Sequence, residues 1–481
     1  MMARPASRFL RSNVSRPRCA KEAPELLGSA RPSLRLGLTD AGDGWLRENR
    51  AVPDILDLAD RLFTGAEAVT REKLFAWNGE LVEVAPDTAF VAAFSNVAAL
   101  GTAEGLVLAD TSSWFAAPAV HASLRRWRDV RLDTAVFTHG HTDHCFGVEL
   151  YEERARAEGW PAPRVVAHEA ITERFDRYRE TAGYNGIINQ RQFQLAAPTF
   201  PTEFRYPDET FRTRLDISAG DETIECHHAR GETDDHVWLW APRRHVLCTG
   251  DLFIWASPNC GNPQKVQRYA IEWARALRAM AALNAEILLP GHGLPILGPG
   301  RIRTALTDSA RLLEHLHTET IRMMNDGATL DAILQTVRAP ADLLDRPYLG
   351  PIYDEPEFVI RNVWRLFGGW YDGDPSHLKP AQSATFAAEV AALAGGARAL
   401  ASRAESLAGG GDLRLAAQLV ELATQAEPDD KVVHGIRADV YRRRVAAEAS
   451  VMAQGVFAWA ASESQRRIEA VDALGAEPVD G

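Results

Sequence analysis

Residues 132–144 read Leu-Asp-Thr-Ala-Val-Phe-Thr-His-Gly-His-Thr-Asp-His. The first six have the apolar and β-branched content of a buried strand. The rest, Thr138-His139-Gly140-His141-Thr142-Asp143-His144, follow it directly. A strand end is a rigid platform, and the turn after it can aim several side chains at one point. Three imidazoles and a carboxylate packed this densely suit Zn²⁺ or a similar borderline metal. Four donors in so short a run exceed the three that one catalytic ion takes, which predicts two ions. His139 and His141 would serve one, and Asp143 and His144 the other.

Outward from this stretch, residues 82–94 and 105–110 read as strands and residues 117–127 as an amphipathic helix. Strands alternate with helices down to Leu289, the pattern of an α/β layered domain. The runs VWLW (237–240) and HVLC (245–248), separated by Ala-Pro-Arg-Arg, predict a hairpin. After Pro299 the character changes. Ile302, Leu306, Leu313, Leu316, Ile321 and Met324 recur at helical spacing, which predicts a helix of about 24 residues. Further on, residues 413–426 and the helical run through Arg444 resemble one tetratricopeptide helix pair, too few for a binding solenoid. Packing of these helices on each other or on a second subunit is the simpler reading. The expected division is an N-terminal extension (1–50), a catalytic domain (51–300) and a helical domain (301–475).

Composition narrows the function classes. The 481 residues carry 53 Lys+Arg against 65 Asp+Glu, a formal charge of −12, and 46% are hydrophobic. That is the balance of a globular protein, and its sign speaks against nucleic acid as a bulk partner. No apolar run reaches the length of a membrane span. The five cysteines show no CxxC spacing and suit inert thiols in a reducing, cytoplasmic setting. The first 21 residues are Arg- and Ser-rich without an acid, the composition of a transit peptide, but a disordered tail is the simpler expectation.

The HxHxDH pattern of residues 139–144 is the signature of the metallo-β-lactamase superfamily, and the chain resembles that superfamily in order. The resemblance implies an α/β fold, the αββα sandwich, with three further ligands at Glu232 in Gly231-Glu232-Thr233, Asp251 in Thr249-Gly250-Asp251, and His292 in Pro290-Gly291-His292-Gly293. Most members have His where Glu232 stands, and His228 and His236 are alternatives nearby. A Glu there is a feature of the alkylsulfatase branch. The run from Tyr353 to Pro375, with RNVWRLFGGWYDGDP at its end (361–375), looks like the dimerisation domain of that branch. The resemblance thus implies an all-α dimerisation domain and a homodimer, with Trp364, Trp370 and Tyr371 as candidate anchors.

The implied ligand set is His139, His141, Asp143, His144, Glu232, Asp251 and His292. Asp143 and Asp251 would be catalytic as well, holding two Zn²⁺ per chain and the hydroxide between them that attacks a small anionic ester. The implied reaction is hydrolysis of an alkyl sulfate ester, with another ester of the superfamily (phosphodiester, lactone or thioester) as the alternative. Iron-using redox relatives place a carboxylate where His141 stands, so oxidoreduction is disfavoured, and the full donor set argues against an inert scaffold. Arg is the best fork for sulfate oxygens. The branch carries an Asn and then two Arg after the bridging acid, and here stand Asn259, Gln264 and Arg268. Asn185 and Arg191 lie where the branch has a substrate loop. The branch also commonly has Glu at the bridging position and a less lactamase-like last turn. It continues into a sterol-carrier-like domain not found before residue 481, so a long detergent-like substrate is not expected.

Overall fold

The computed structural model describes residues 54–475, so the expected N-terminal extension lies outside it. Among the described residues, thirteen strands form two sheets. The first contains β1 (Asn78–Ala85), β2 (Thr88–Ala93), β3 (Val97–Gly101), β4 (Leu106–Ala109), β5 (Leu132–Val136), β6 (Arg164–His168) and β7 (Glu209–Phe211), in that spatial order. Its first four strands are antiparallel and β4 to β7 run parallel. The second contains β8 (Arg214–Ala219), β9 (Glu222–His228), β10 (Val237–Ala241), β11 (Val246–Gly250), β12 (Ile287–Pro290) and β13 (Ile296–Leu297), ordered β13-β12-β11-β10-β9-β8. Only β11 and β12 pair in parallel there.

Both faces of the first sheet are buried, which explains its near-continuous apolar strands. Alternate residues face opposite ways. Phe90 and Ala92 of β2 join Val136, Val166, Trp238 and Leu239 in the core that includes the second sheet, while Val91 and Ala93 join Phe137, Ile171 and Phe175 in the core under the helices. On the second sheet's side, Trp273 of helix Ala270–Ala281 and Trp255 are fully buried and give their indole N–H groups to the Leu252 and Leu294 carbonyls. Helix, sheet, sheet and helix give the layered α/β sandwich expected.

The hairpin of β10 and β11 forms at the Pro-Arg-Arg turn as its sequence predicts. The strand expected over 82–94 is instead two. Pro86 and Asp87 reverse the chain between β1 and β2, with Asp87 in the left-handed region at φ 53°. The apolar run hid this turn because both of its halves are buried. Helix Pro299–Asn325 runs 27 residues, close to its expected length. It packs on helix Ala270–Ala281 and shares its core with helix Pro356–Gly368. The tetratricopeptide-like pair becomes helices Leu413–Ala426 and Lys431–Ala447, capped by Asp412 and Asp430. Among the described residues, no helix is long and apolar enough to cross a membrane.

Candidate metal centre

The chain leaves β5 at Val136, β11 at Gly250 and β12 at Pro290, and the turns that follow carry residues 138–144, Asp251 and His292. The connection from β9 to β10 adds Glu232. These turns converge. His139, His141, Glu232 and Asp251 form one group of ligand atoms, all within 4.8 Å of one another, and Asp143, His144 and His292 form a second. Asp251 belongs to both in reach. Its Oδ1 is 3.4 Å from His144 Nε2, and its Oδ2 is 3.4 Å from His292 Nε2 and 3.8 Å from His139 Nε2. Glu232 Oε2 lies 3.4 Å from His139 Nε2 and 3.5 Å from His141 Nδ1. All seven expected ligand residues are therefore brought together. The grouping differs from the simplest one by sequence only in adding Glu232, Asp251 and His292 from afar.

The donor set fits metal ions on an observation of its own. His144 Nε2, Glu232 Oε2 and Asp251 Oδ1 are buried without a hydrogen-bond partner. Orphaned buried polar atoms are costly, and three aimed at one space call for a cation. His139 Nε2 and His141 Nδ1 face each other at 2.8 Å, two ring nitrogens directed at a common point. Burial drives His139 well below the ordinary histidine range. His144 and His292 go the other way. Burial opposes their charge, but Asp251 and Asp143 outweigh it and push His292 up to about 10. Asp143 and Asp251 are held low despite burial, by the same two histidines.

Partners behind the ligands orient them, as metal-binding histidines require. His144 Nδ1 donates to Asp110 Oδ2 at 2.8 Å, which leaves Nε2 as the free lone pair. Asp110 also accepts from the Thr138 amide and hydroxyl at 2.7 and 2.8 Å and holds a left-handed φ of 63°. Strain of that kind clusters at functional sites. His292 Nδ1 donates to the Phe94 carbonyl, and Ser95 donates to Asp143 at 2.6 Å. Asn96 clamps the His292 turn through the Pro290 and Gly293 carbonyls. Asp235 accepts from the Gly140 amide at 2.8 Å and is itself paired with the buried Arg174. A Cβ on Gly291 would stand 2.2 Å from Asp251 Oδ1, so only glycine permits this turn to pass so close to the shared carboxylate.

The alternatives to Glu232 are engaged elsewhere. His228 stacks on His168 and bonds the Asp234 carbonyl. His236 stacks on His139, and its Nε2 accepts from the Asp251 amide at 3.1 Å. The substrate candidates are placed differently from their expected role. Arg268 is buried and its guanidinium donates to Glu232 Oε1 at 2.5 Å and to the Asn259 carbonyl. Asn259 Nδ2 reaches the same Glu232 oxygen at 2.5 Å. Both therefore hold Glu232 rather than face open space. Asn185 is turned back onto Thr181 of its own helix, and Arg191 donates to Gln264 Oε1 at 3.0 Å. Asp110, Ser95, Asp235 and Arg174 were not foreseen, because no local pattern links them to the histidines. Of the candidate dimer anchors, Trp370 is 72% and Tyr371 38% exposed, whereas Trp364 packs partly on the core.

Comparison with known proteins agrees with this geometry. Residues 91–292 match the metallo-beta-lactamase superfamily, and residues 329–467 match the alkyl sulfatase dimerisation family. The chain is 26% identical over 394 residues to a linear primary-alkylsulfatase from Pseudomonas sp., covering 77% of this chain and 74% of that protein. It is 23% identical over 330 residues to the alkyl/aryl-sulfatase BDS1 of Saccharomyces cerevisiae, spanning 64% of this chain and about half (51%) of the yeast protein. The solved stereoselective inverting sec-alkylsulfatase Pisa1 from Pseudomonas sp. shares the fold, with a TM-score of 0.73 at 22% identity over 81% of this chain and 66% of that one. A region of the metallo-beta-lactamase superfamily carrying the donor set is thus followed, in one chain, by a region of the alkyl sulfatase dimerisation family, and the chain as a whole is similar to the alkylsulfatases that match it.

Proposed function

We propose that the protein is a dinuclear-zinc hydrolase of alkyl sulfate esters, with His139, His141, Glu232 and Asp251 on one ion and Asp143, His144, His292 and Asp251 on the other. The observation that carries the reading is the meeting of two donor groups at Asp251 beside a ligand, Glu232, that is itself held by Arg268 and Asn259. The activities of the alkylsulfatase relatives support the substrate class. Two Zn²⁺ would supply positive charge and a water ionised near neutral pH.

The chain's own residues do the rest. Asp143 and Asp251 hold the attacking water. Its oxygen bonds to the ester carbon, the C–O bond breaks, and the electron pair leaves with inorganic sulfate. Asp143, at 25% side-chain exposure against 6% for Asp251 and 1% for Glu232, is the carboxylate through which the released proton reaches solvent. Expected on assay is sulfate release from short alkyl sulfates, with about two Zn per chain by metal analysis, and little turnover of phosphodiester, lactone or thioester controls. Reaction in ¹⁸O water should label the alcohol. No sulfate from any chain length would sink the substrate class, and label in the sulfate would sink C–O cleavage.

We further propose that residues 51–300 form the catalytic domain and residues 301–475 a helical domain through which two chains form a homodimer. The exposed Phe367, Trp370, Leu378 and Phe386 support such a contact. Size-exclusion with light scattering at micromolar concentration should give twice the 52.9 kDa chain mass. A monomer would rule the contact out. Cys145, Cys226, Cys248 and Cys260 are all buried and unpaired, which supports a reducing, cytoplasmic setting.

A further inference from the structure

We propose that Trp114 and Phe115 form an apolar rim that takes the alkyl chain of the ester and sets the preference for chain length. The inference rests on the sulfate-ester reading above and names the side chains that would meet the uncharged part of the substrate.

The rim is continuous with the metal centre. His144 is fully buried, whereas His292 and Asp143 keep some exposure, so the centre is open on their side. The His292 ring stands edge-on to Phe94, with 5.3 Å between centroids, and to Phe75 at 6.0 Å. From Phe94 the aromatic surface runs outward. Phe115 lies 6.1 Å from Phe94, and Trp114 stands edge-on to Phe115 at 5.6 Å. Exposure rises along the same path. Phe94 is half-buried, while Phe115 is 49% and Trp114 45% exposed. Neither outer ring belongs to a hydrophobic core among the described residues, so packing does not account for them. Apolar surface that starts at a ligand and ends in water is the wall of a binding groove, unlike a single scattered surface residue.

The loop that bears the two rings is fixed to the ligands. The Thr111 amide donates to the His144 carbonyl at 2.8 Å, and the Phe146 amide to the Ser112 carbonyl at 3.0 Å. The Ser112 hydroxyl donates to the Ser95 carbonyl at 2.8 Å, and Ser95 in turn holds Asp143. Ser112 has a left-handed φ of 69°, as Asp110 has two residues earlier. Such backbone persists only where its surroundings over-determine it. Trp114 and Phe115 are therefore presented in one place, with little left to order when a chain binds. Both rings recognise apolar area and not charge. With the sulfate head at the metals, the carbons of the alcohol follow this wall outward.

The test uses the full, zinc-loaded chain, the double variant Trp114→Ser/Phe115→Ser and the conservative double variant Trp114→Phe/Phe115→Leu. Ethyl, butyl, hexyl and octyl sulfate are assayed for kcat and KM. The matching alkanesulfonates, which have no ester bond to break, are titrated by calorimetry. Each methylene that enters the rim is worth roughly fourfold, so wild-type kcat/KM and sulfonate affinity should climb with chain length. The serine variant should lose roughly 10- to 50-fold on the octyl compounds, the worth of about two to three methylenes, chiefly through KM. Its loss should shrink steadily toward the ethyl compounds. The conservative variant should recover most of the chain-length slope, and zinc content and melting temperature should match the wild type in both. An equal loss at every chain length would mark the rings as structural and overturn the proposal while leaving the function standing. No gain in wild-type sulfonate affinity from ethyl to octyl would overturn it whatever the activity. A gain that disappears in the serine variant, in a protein that cleaves no sulfate ester, would support the rim and remove the sulfatase reading. A serine variant that keeps the wild-type slope but turns from dimer to monomer on light scattering would assign the rings to a second copy of the chain and overturn the proposal.

Discussion

Asp251→Ala is expected to lower kcat/KM by on the order of 10³-fold or more and to reduce bound zinc to about one ion per chain or fewer. Loss of a residue behind a ligand costs roughly 10- to 100-fold, and loss of a shared ligand must exceed that. Asp251 is the carboxylate that reaches His144 and His292 on one side and His139 on the other, at 3.4, 3.4 and 3.8 Å. Without it the first donor group loses a member and the second loses the carboxylate within reach of His144 and His292 that would serve both ions. The fold should persist. Asp251 crowds Glu232 and Asp143 with like charge, so its removal relieves repulsion in the metal-free chain. Metal analysis with thermal melting separates the two effects. A variant that keeps two ions and wild-type turnover would remove Asp251 from the centre.

Arg268→Met is expected to destabilise the metal-free chain by about 3–5 kcal/mol, the range for breaking a buried ion pair from one side. Glu232 is 1% exposed and Arg268 3%, and their 2.5 Å contact is the only ion pair Glu232 makes with an arginine among the described residues. Burial alone would raise the Glu232 carboxyl, and Arg268, with His141, brings it below its ordinary value. A carboxylate with a lowered folded pKa contributes stability above its unfolded pKa and loses it as pH falls through the folded one. In the variant that protection is gone and Glu232 takes up its proton at a higher pH. The deficit should therefore be largest where Glu232 is ionised in both proteins and begin to shrink before pH falls to the ordinary carboxylate value of about 4.3, because the variant's Glu232 is protonated first. Urea unfolding across that interval reads it directly. Adding Glu232→Gln should restore much of the stability but not the activity, because the second change removes the unpaired charge and a ligand together. A single variant as stable as wild type at pH 7 would show that the pair is not closed in solution.

These two cases mark what the amino-acid sequence discloses and what it conceals. Residues 139–144 are legible because their donors lie on one turn after one strand, so local spacing already implies convergence. Glu232, Asp251 and His292 follow from their strand-end turns once the order of the chain is compared with the superfamily. Arg268 illustrates the limit. Its residue type suits an anion pocket, but its partner lies 36 positions away, and only the packing of helix Ala270–Ala281 under the Glu232 turn reveals the pair. Asp110 is equally hidden, since a carboxylate 34 residues before His144 carries no periodic signal. Asn185 reads as a polar loop residue by sequence, and the helix Ala182–Phe193 turns its amide onto Thr181 instead.

Gly261 ties the catalytic loops to the helical region at the level of the backbone. Its amide donates to the fully buried Asp354 at 2.5 Å, and a Cβ on it would stand 2.1 Å from the Phe358 carbonyl carbon. One hydrophobic core runs from Ile55 through Trp273 and Leu306 to Val363 without a break. The two recognisable sequence regions are thus not interchangeable modules. A gene fragment ending near residue 300 would leave a part of that core, where Leu306, Leu313 and Val363 now pack, facing water. The unit that folds is therefore the pairing of the two regions rather than either part alone.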